Sequence, residues 1–248
     1  MSCRGVIATE HRHQKHIPSS KQESPLLFYD RLIAETEKER TAFTSIPLIR
    51  EAIDSGASRP LYLDFLTQAY HHVKYTFPLL AFAAARTSDE AYQDALVEYM
   101  EEERGHEKWI LTDIEAMGGD AVGVRNGKPG IACQVMVAYA YYAIEWISPY
   151  AMLGSVHVLE GMSTLLADKA ADSIQRSLGG RGKDGFSYLR SHGALDIEHV
   201  AFFKTLVNGI ADANVRQIVI DASKVCYRLY GDIYHELAAR HPIKSHAA

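Results

Sequence analysis

Ser-His-Gly-Ala-Leu-Asp-Ile-Glu-His, residues 191–199, sets His192, Asp196 and His199 at i, i+4 and i+7. That spacing carries meaning on a helix, where the three side chains line one face two turns long and can converge on a point. Two imidazoles and a carboxylate so arranged suit iron, zinc or manganese. A solvated helix face that happens to carry two histidines would show the same spacing, so the rest of the chain has to decide.

Helical periodicity continues on both sides of this stretch. Ser24-Pro25 opens an amphipathic pattern through Leu32 and Ile33 that fades near Thr44, and a short helix spans Pro47 to Asp54. Arg59-Pro60 starts a longer one to about Ala85, which Pro78 should kink. Tyr92 to Met117 reads as one continuous helix, and Gly123 to Gly130 as a connection without a phosphate-binding pattern. Ile131 to Val158 is apolar and aromatic, a central helix kinked at Pro149; further patterns run from Gly154 to Leu178, Phe186 to Asn208 and Val215 to His241. No convincing strand alternation occurs. The expected fold is an all-α bundle of about seven helices.

The 248 residues are 47% hydrophobic with a formal net charge of −5, enough for one substantial core. A single domain over 23–242 is expected, between a polar N-terminal tail (1–22) and a short C-terminal one (243–248). His11, His13 and His16 fall in that first tail and are set aside. Mild acidity without a basic block argues against nucleic acid as partner. Cys3, Cys133 and Cys226 form no CxxC pair, which points away from a disulfide framework and toward a cytoplasmic location. No apolar run has membrane-spanning length, and the start lacks the apolar core of a signal peptide. A small-molecule substrate is the expected partner.

Further candidate ligands lie upstream. In Glu-Glu-Glu-Arg-Gly-His-Glu, Glu103 stands three residues before His106 and Glu102 four, so spacing leaves both carboxylates open. A Glu-x-x-His pair projecting inward is how helical bundles build carboxylate-bridged di-iron sites. Glu160 lies in the apolar run from Met152 to Leu166, where burying a carboxylate calls for a metal or a cationic partner. Glu145 raises the same question, with an arginine or a tyrosine hydroxyl as the alternative partner.

Together these residues resemble the haem-oxygenase-like di-iron oxidases and oxygenases, iron-containing redox enzymes of the superfamily that also holds the TenA and PqqC types. The resemblance covers roughly residues 25–240, and its last motif is most similar to that of the chlamydial protein associating with death domains. It implies a haem-oxygenase-like bundle, two irons per chain, O2 as co-substrate and a homodimer. It also implies His106, Glu160, His192, Asp196 and His199 as metal ligands, with Glu103 in the first carboxylate position and also catalytic. Tyr142, with Tyr139 and Tyr141 on the aromatic helix that would wall the pocket, is the candidate electron donor. The substrate would be an amine, an amino acid or a fatty-acid-like molecule. Some relatives place the first carboxylate two turns before the histidine, where this chain has Tyr99, and others take a glutamate from the preceding helix, where it offers Tyr70, His71 and His72.

Two other readings keep the fold. A TenA-like hydrolase would use Cys133 as a thiolate nucleophile, and a metal-free scaffold or regulatory protein would tolerate loss of the ligand residues.

Overall fold

The computed structural model describes residues 27–179 and 184–242, except the side chains of residues 192–198. Every regular element among them is helical: α1 (Phe28–Glu35), α2 (Glu37–Thr44), α3 (Pro47–Asp54), α4 (Arg59–Val73), α5 (Thr76–Arg86), α6 (Glu90–Glu103), α7 (His106–Ala116), α8 (Ala121–Asn126), α9 (Ile131–Trp146), α10 (Met152–Ser177), α11 (Ser187–Gly209) and α12 (Ala213–Arg240). A 3₁₀ turn, Pro149–Ala151, joins α9 to α10. The all-α expectation holds. The segments outnumber the expected seven because the longer patterns are broken where the backbone leaves helical geometry.

Those breaks have local causes. The pattern expected from Arg59 to Ala85 divides at Lys74-Tyr75 rather than kinking at Pro78. Pro78 falls in the first turn of α5, where a missing amide proton costs nothing because no intrahelical acceptor faces it. The helix expected over Ile131–Val158 stops at Trp146, and Ser148-Pro149 starts a turn, with the Ser148 hydroxyl accepting from the Tyr150 amide at 3.3 Å. Part of the connection expected at Gly123–Gly130 is helical, as α8, opened by Asp120 accepting from the Gly123 amide at 2.8 Å. The Ser24-Pro25 start and both expected tails lie outside the described residues.

Helix α10 runs through the middle of the bundle, packed against α11, α12, α9 and α3. Leu153, Val158 and Ala171 on it are fully buried, as are Leu80, Leu96, Val219 and Ile220 around it. Each large aliphatic side chain so buried contributes about 1.5–3 kcal/mol. Gly154 sets the approach of α12: a Cβ there would stand 2.6 Å from the Ala222 Cβ and 2.7 Å from the Ser223 amide nitrogen.

Helix α11 is anchored by α7. The buried Asp113 carboxylate of α7 accepts from the Ser187 amide (2.9 Å), the Ser187 hydroxyl (2.7 Å) and the Tyr188 amide (2.8 Å). An anion thereby satisfies two of the donors that a helix start leaves open and complements the helix dipole. No helix among the described residues is long and apolar enough to cross a membrane.

Candidate metal centre

Glu103 and His106 do not share a continuous helix. Glu103 is the last residue of α6; Arg104 is extended, Gly105 takes φ +94°, and His106 is the first residue of α7. Glycine is required there because L side chains meet their own backbone at positive φ. The two side chains still meet, with Glu103 Oε2 3.3 Å from His106 Nδ1. His106 is buried, and Trp109 stacks on its ring at 4.2 Å between centroids.

The second half of the cluster comes from α10 and α11. Glu160 lies on the inner face of α10, and its Oε1 is 3.9 Å from His199 Nδ1. Glu102 holds the other ring nitrogen of His199, with Oε2 3.0 Å from Nε2, from the solvent side: its side chain is 39% exposed against 10% for Glu103 and 13% for Glu160. Glu103, Glu160 and His199 each offer a ligand atom within 4.8 Å of the others. His192 and Asp196 belong to α11, two turns and one turn before His199, and their side chains lie outside the described residues.

This cluster opens on a long apolar cavity of about 180 Å³ whose wall includes Glu103 and Glu160. One face of α10 lines it from Met152 through Ser155, Leu159, Ser163 and Ala167 to Ile174. At 1.5 Å per residue this wall is about 33 Å long, reaching about 12 Å to one side of Glu160 and about 21 Å to the other. Among the described residues the lining holds neither lysine nor arginine. Two carboxylates in such a wall, with the His199 imidazole within reach of both, fit a cation, which offsets the repulsion between the carboxylates where water is scarce. The donors are the oxygens and imidazole nitrogens that suit non-haem iron.

The family model for iron-containing redox enzymes matches residues 63–231, more than half of the chain. The chain belongs to that family. No curated protein matches it. Among solved structures, the chain is similar to a domain of unknown function with a heme oxygenase-like fold from Shewanella denitrificans, at 21% identity and TM-score 0.77 over 91% of this chain and all of the other. A TenA homologue from Pseudomonas syringae (11% identity, TM-score 0.70, 86% and 93% of the two chains) and heme oxygenase-1 from Synechocystis (10%, 0.69, 87% and 94%) share the fold.

Other residues singled out in the sequence stand elsewhere. Tyr142 is on the outer face of α9, 55% exposed, and does not line the cavity; α9 contributes Met136, Val137 and Ala140 instead. The expected tyrosine wall is therefore corrected to an aliphatic one, because the turn at Ser148-Pro149 ends α9 and sets which face meets α10 and α12. Glu145 pairs with Arg86 at 2.5 Å, the arginine alternative. His71 is fully buried against a second cavity lined by Asp64, Asp120 and Lys128, and burial, helped by Lys74, lowers its pKa to about 4. His72 lines the main cavity and packs edge-on against Tyr230 at 5.8 Å.

Sequence reasoning marked Tyr99 only as the place where some relatives have the first carboxylate and did not count it in the site. It lines the cavity one helical turn before Glu103, is 1% exposed, and packs edge-on to His199 with 6.5 Å between ring centroids. Its i, i+4 relation to Glu103 was the available signal.

Proposed function

We propose that this protein is a non-haem di-iron, O2-dependent oxidase or oxygenase acting on a fatty-acid-like substrate. The observation that carries the reading is the convergence of Glu103, Glu160 and His199, with the two carboxylates lining a long apolar cavity. With His106 against Glu103, and with His192 and Asp196 on the helix that bears His199, the chain has three carboxylates and three imidazoles for two ions. Iron bound there supplies O2 activation.

The chain's own groups do the rest. Glu103 and Glu160 hold negative charge where the cation sits, and Trp109 stacked on His106 fixes the orientation of that ring. Leu79, Leu80, Met136 and Met152 exclude water from the cavity wall. Of the three substrate classes, a fatty-acid-like one matches an apolar lining that runs past the carboxylates on both sides, since a small zwitterion would leave most of it unfilled. A single polar head beside Glu103 and Glu160, with an apolar tail along the longer arm of α10, matches the lining.

The TenA-like alternative is supported less. Cys133 is fully buried, donates its S–H to the Gln68 carbonyl at 3.6 Å, and burial pushes its pKa up to about 12, so the thiolate is disfavoured.

Pairing with a second copy is part of the proposal. Ile131, Val135, Tyr142 and Trp146 form an exposed apolar stripe along α9, with Ile147 just beyond it. These side chains present on the order of 600 Å², approaching the roughly 800 Å² per partner of a stable interface, and a helix stripe packed on its own two-fold mate is self-complementary. Light scattering on wild type and Trp146→Glu tests it: a monomeric wild type refutes the pairing.

The test of the metal centre is anaerobic loading with ferrous iron, followed by metal analysis and exposure to O2. About two irons per chain, lost in Glu160→Ala and His199→Ala, with O2 consumption that rises on adding a long-chain carboxylic acid, are expected. A wild type that takes up no iron, or ligand variants that retain it, would refute the reading.

A further inference from the structure

The hydroxyl of Tyr99 has no hydrogen-bond partner among the described residues, although it is buried inside the bundle. A buried phenol O–H without an acceptor is destabilising, and such groups persist where something outside the protein's own atoms satisfies them. The carboxylates of Glu160, Glu102 and Glu103 stand nearby. None of these carboxylates accepts its proton in a hydrogen bond. Helix geometry places Tyr99 one turn from Glu103 on the same face of α6, and its ring stands at a steep angle to that of His199, with Phe202 against it at 5.1 Å. Packing holds the ring, and Tyr99 lines the same cavity as Glu103 and Glu160.

We propose that the Tyr99 oxygen is a ligand of the metal centre, completing the donor set that Glu103, Glu160 and His199 begin. This rests on the metal-centre reading above and adds a phenolate that the carboxylate–histidine motif does not contain. A nearby cation reverses the effect of burial on an acidic group, so the phenol proton leaves to solvent as the ion binds. Phenolate oxygen is an established iron donor type.

The consequence is spectroscopic. Full-length protein loaded anaerobically with ferrous sulfate and then oxidised with O2 should show a phenolate-to-ferric charge-transfer band in the visible, with phenolate ring modes in resonance Raman spectra excited within it. Tyr99→Phe should take up the same equivalents of iron, bind it roughly tenfold or more weakly, and lack the band. The metal-free variant should melt at the same temperature as wild type or higher, because the substitution removes an unsatisfied hydroxyl and keeps the ring. Iron uptake without the band in wild type, or a band that survives in Tyr99→Phe, refutes the ligand role and leaves the metal centre standing. A lower melting temperature for metal-free Tyr99→Phe refutes it too, since the hydroxyl would then have a protein partner. Absence of iron uptake by wild type overturns this inference together with the reading on which it rests.

Discussion

Gly105→Ala tests the joint on which the cluster depends. A Cβ at Gly105 would meet nothing closer than the Lys108 side chain, with Nζ at 3.7 Å and Cδ at 3.8 Å, so no clash arises. The cost is conformational: φ of +94° costs an L residue about 1–2 kcal/mol. Alanine returns about 0.4–1 kcal/mol of that by restricting the unfolded chain. The net loss is about 1 kcal/mol, or a fall of roughly 2–4 °C in melting temperature for a chain of this size. Strain also invites Arg104 and the substituted position after it to turn helical, fusing α6 with α7 and redirecting α7, with His106, relative to α10 and α11. Iron affinity should therefore fall more than stability does. Gly161→Ala is the control: it lies inside α10 with open space at the Cβ position and should gain about 0.5–1 kcal/mol. Thermal unfolding followed by circular dichroism, with iron titration of each variant, reads both effects. A Gly105→Ala protein as stable as wild type that binds iron equally well would show that the left-handed joint is unimportant.

Asp113→Ala removes the acceptor for three hydrogen bonds at the start of α11 and should cost about 2–4 kcal/mol in urea denaturation; Asp113→Asn should cost less, and equality of Asp113→Ala with wild type would refute the anchoring role. His157 is buried between Phe203 and Tyr227, and burial, with a smaller contribution from Arg40, lowers its pKa from 6.5 to about 4. Because the unfolded chain binds the proton more readily, stability is complete above about pH 6.5 and is lost as the pH falls toward 4, by about 2 kcal/mol between pH 7 and pH 5. His157→Phe should flatten that slope in urea titrations at the two pH values, and an unchanged slope would count against it. Ala170→Phe fills the longer arm of the cavity about 15 Å beyond Glu160. Binding of a long-chain carboxylic acid should weaken by roughly tenfold or more, since each excluded methylene is worth about 0.8 kcal/mol, while a short-chain acid binds as before; equal loss for both in calorimetry would remove the chain from this arm.

The fold was legible in the sequence because helical periodicity is a local property. The 3.6-residue recurrence of Leu, Val and Ile in the last helix, and the proline, serine and glycine signals around Pro47–Asp54, report directly on backbone geometry. The breaks were less legible. Pro78 looked like the disrupting residue, yet the chain turns at Lys74-Tyr75, because a proline in a first turn breaks no hydrogen bond. Gly105 sat unmarked inside a pattern that otherwise reads as one helix, since a single glycine is tolerated in helices and its positive φ depends on where the two flanking helices pack.

Residue types and spacing by themselves determined the all-helical class and the residues from which a metal centre could be built, Glu103, His106, Glu160 and His199 with His192 and Asp196, and a resemblance carried by those residues pointed to the family. Tertiary structure decided which of them meet. It put Glu103 inside with Glu160 and left Glu102 on the solvent side of His199, a choice that i+3 and i+4 spacing could not make. It turned Tyr142 outward, sealed Cys133 against Gln68, and brought Tyr99 to the carboxylates. The physical reason is that burial and convergence are set by the packing of α6, α7, α10 and α11 around the cavity. Those contacts join residues far apart in the chain, and no local pattern encodes their distances.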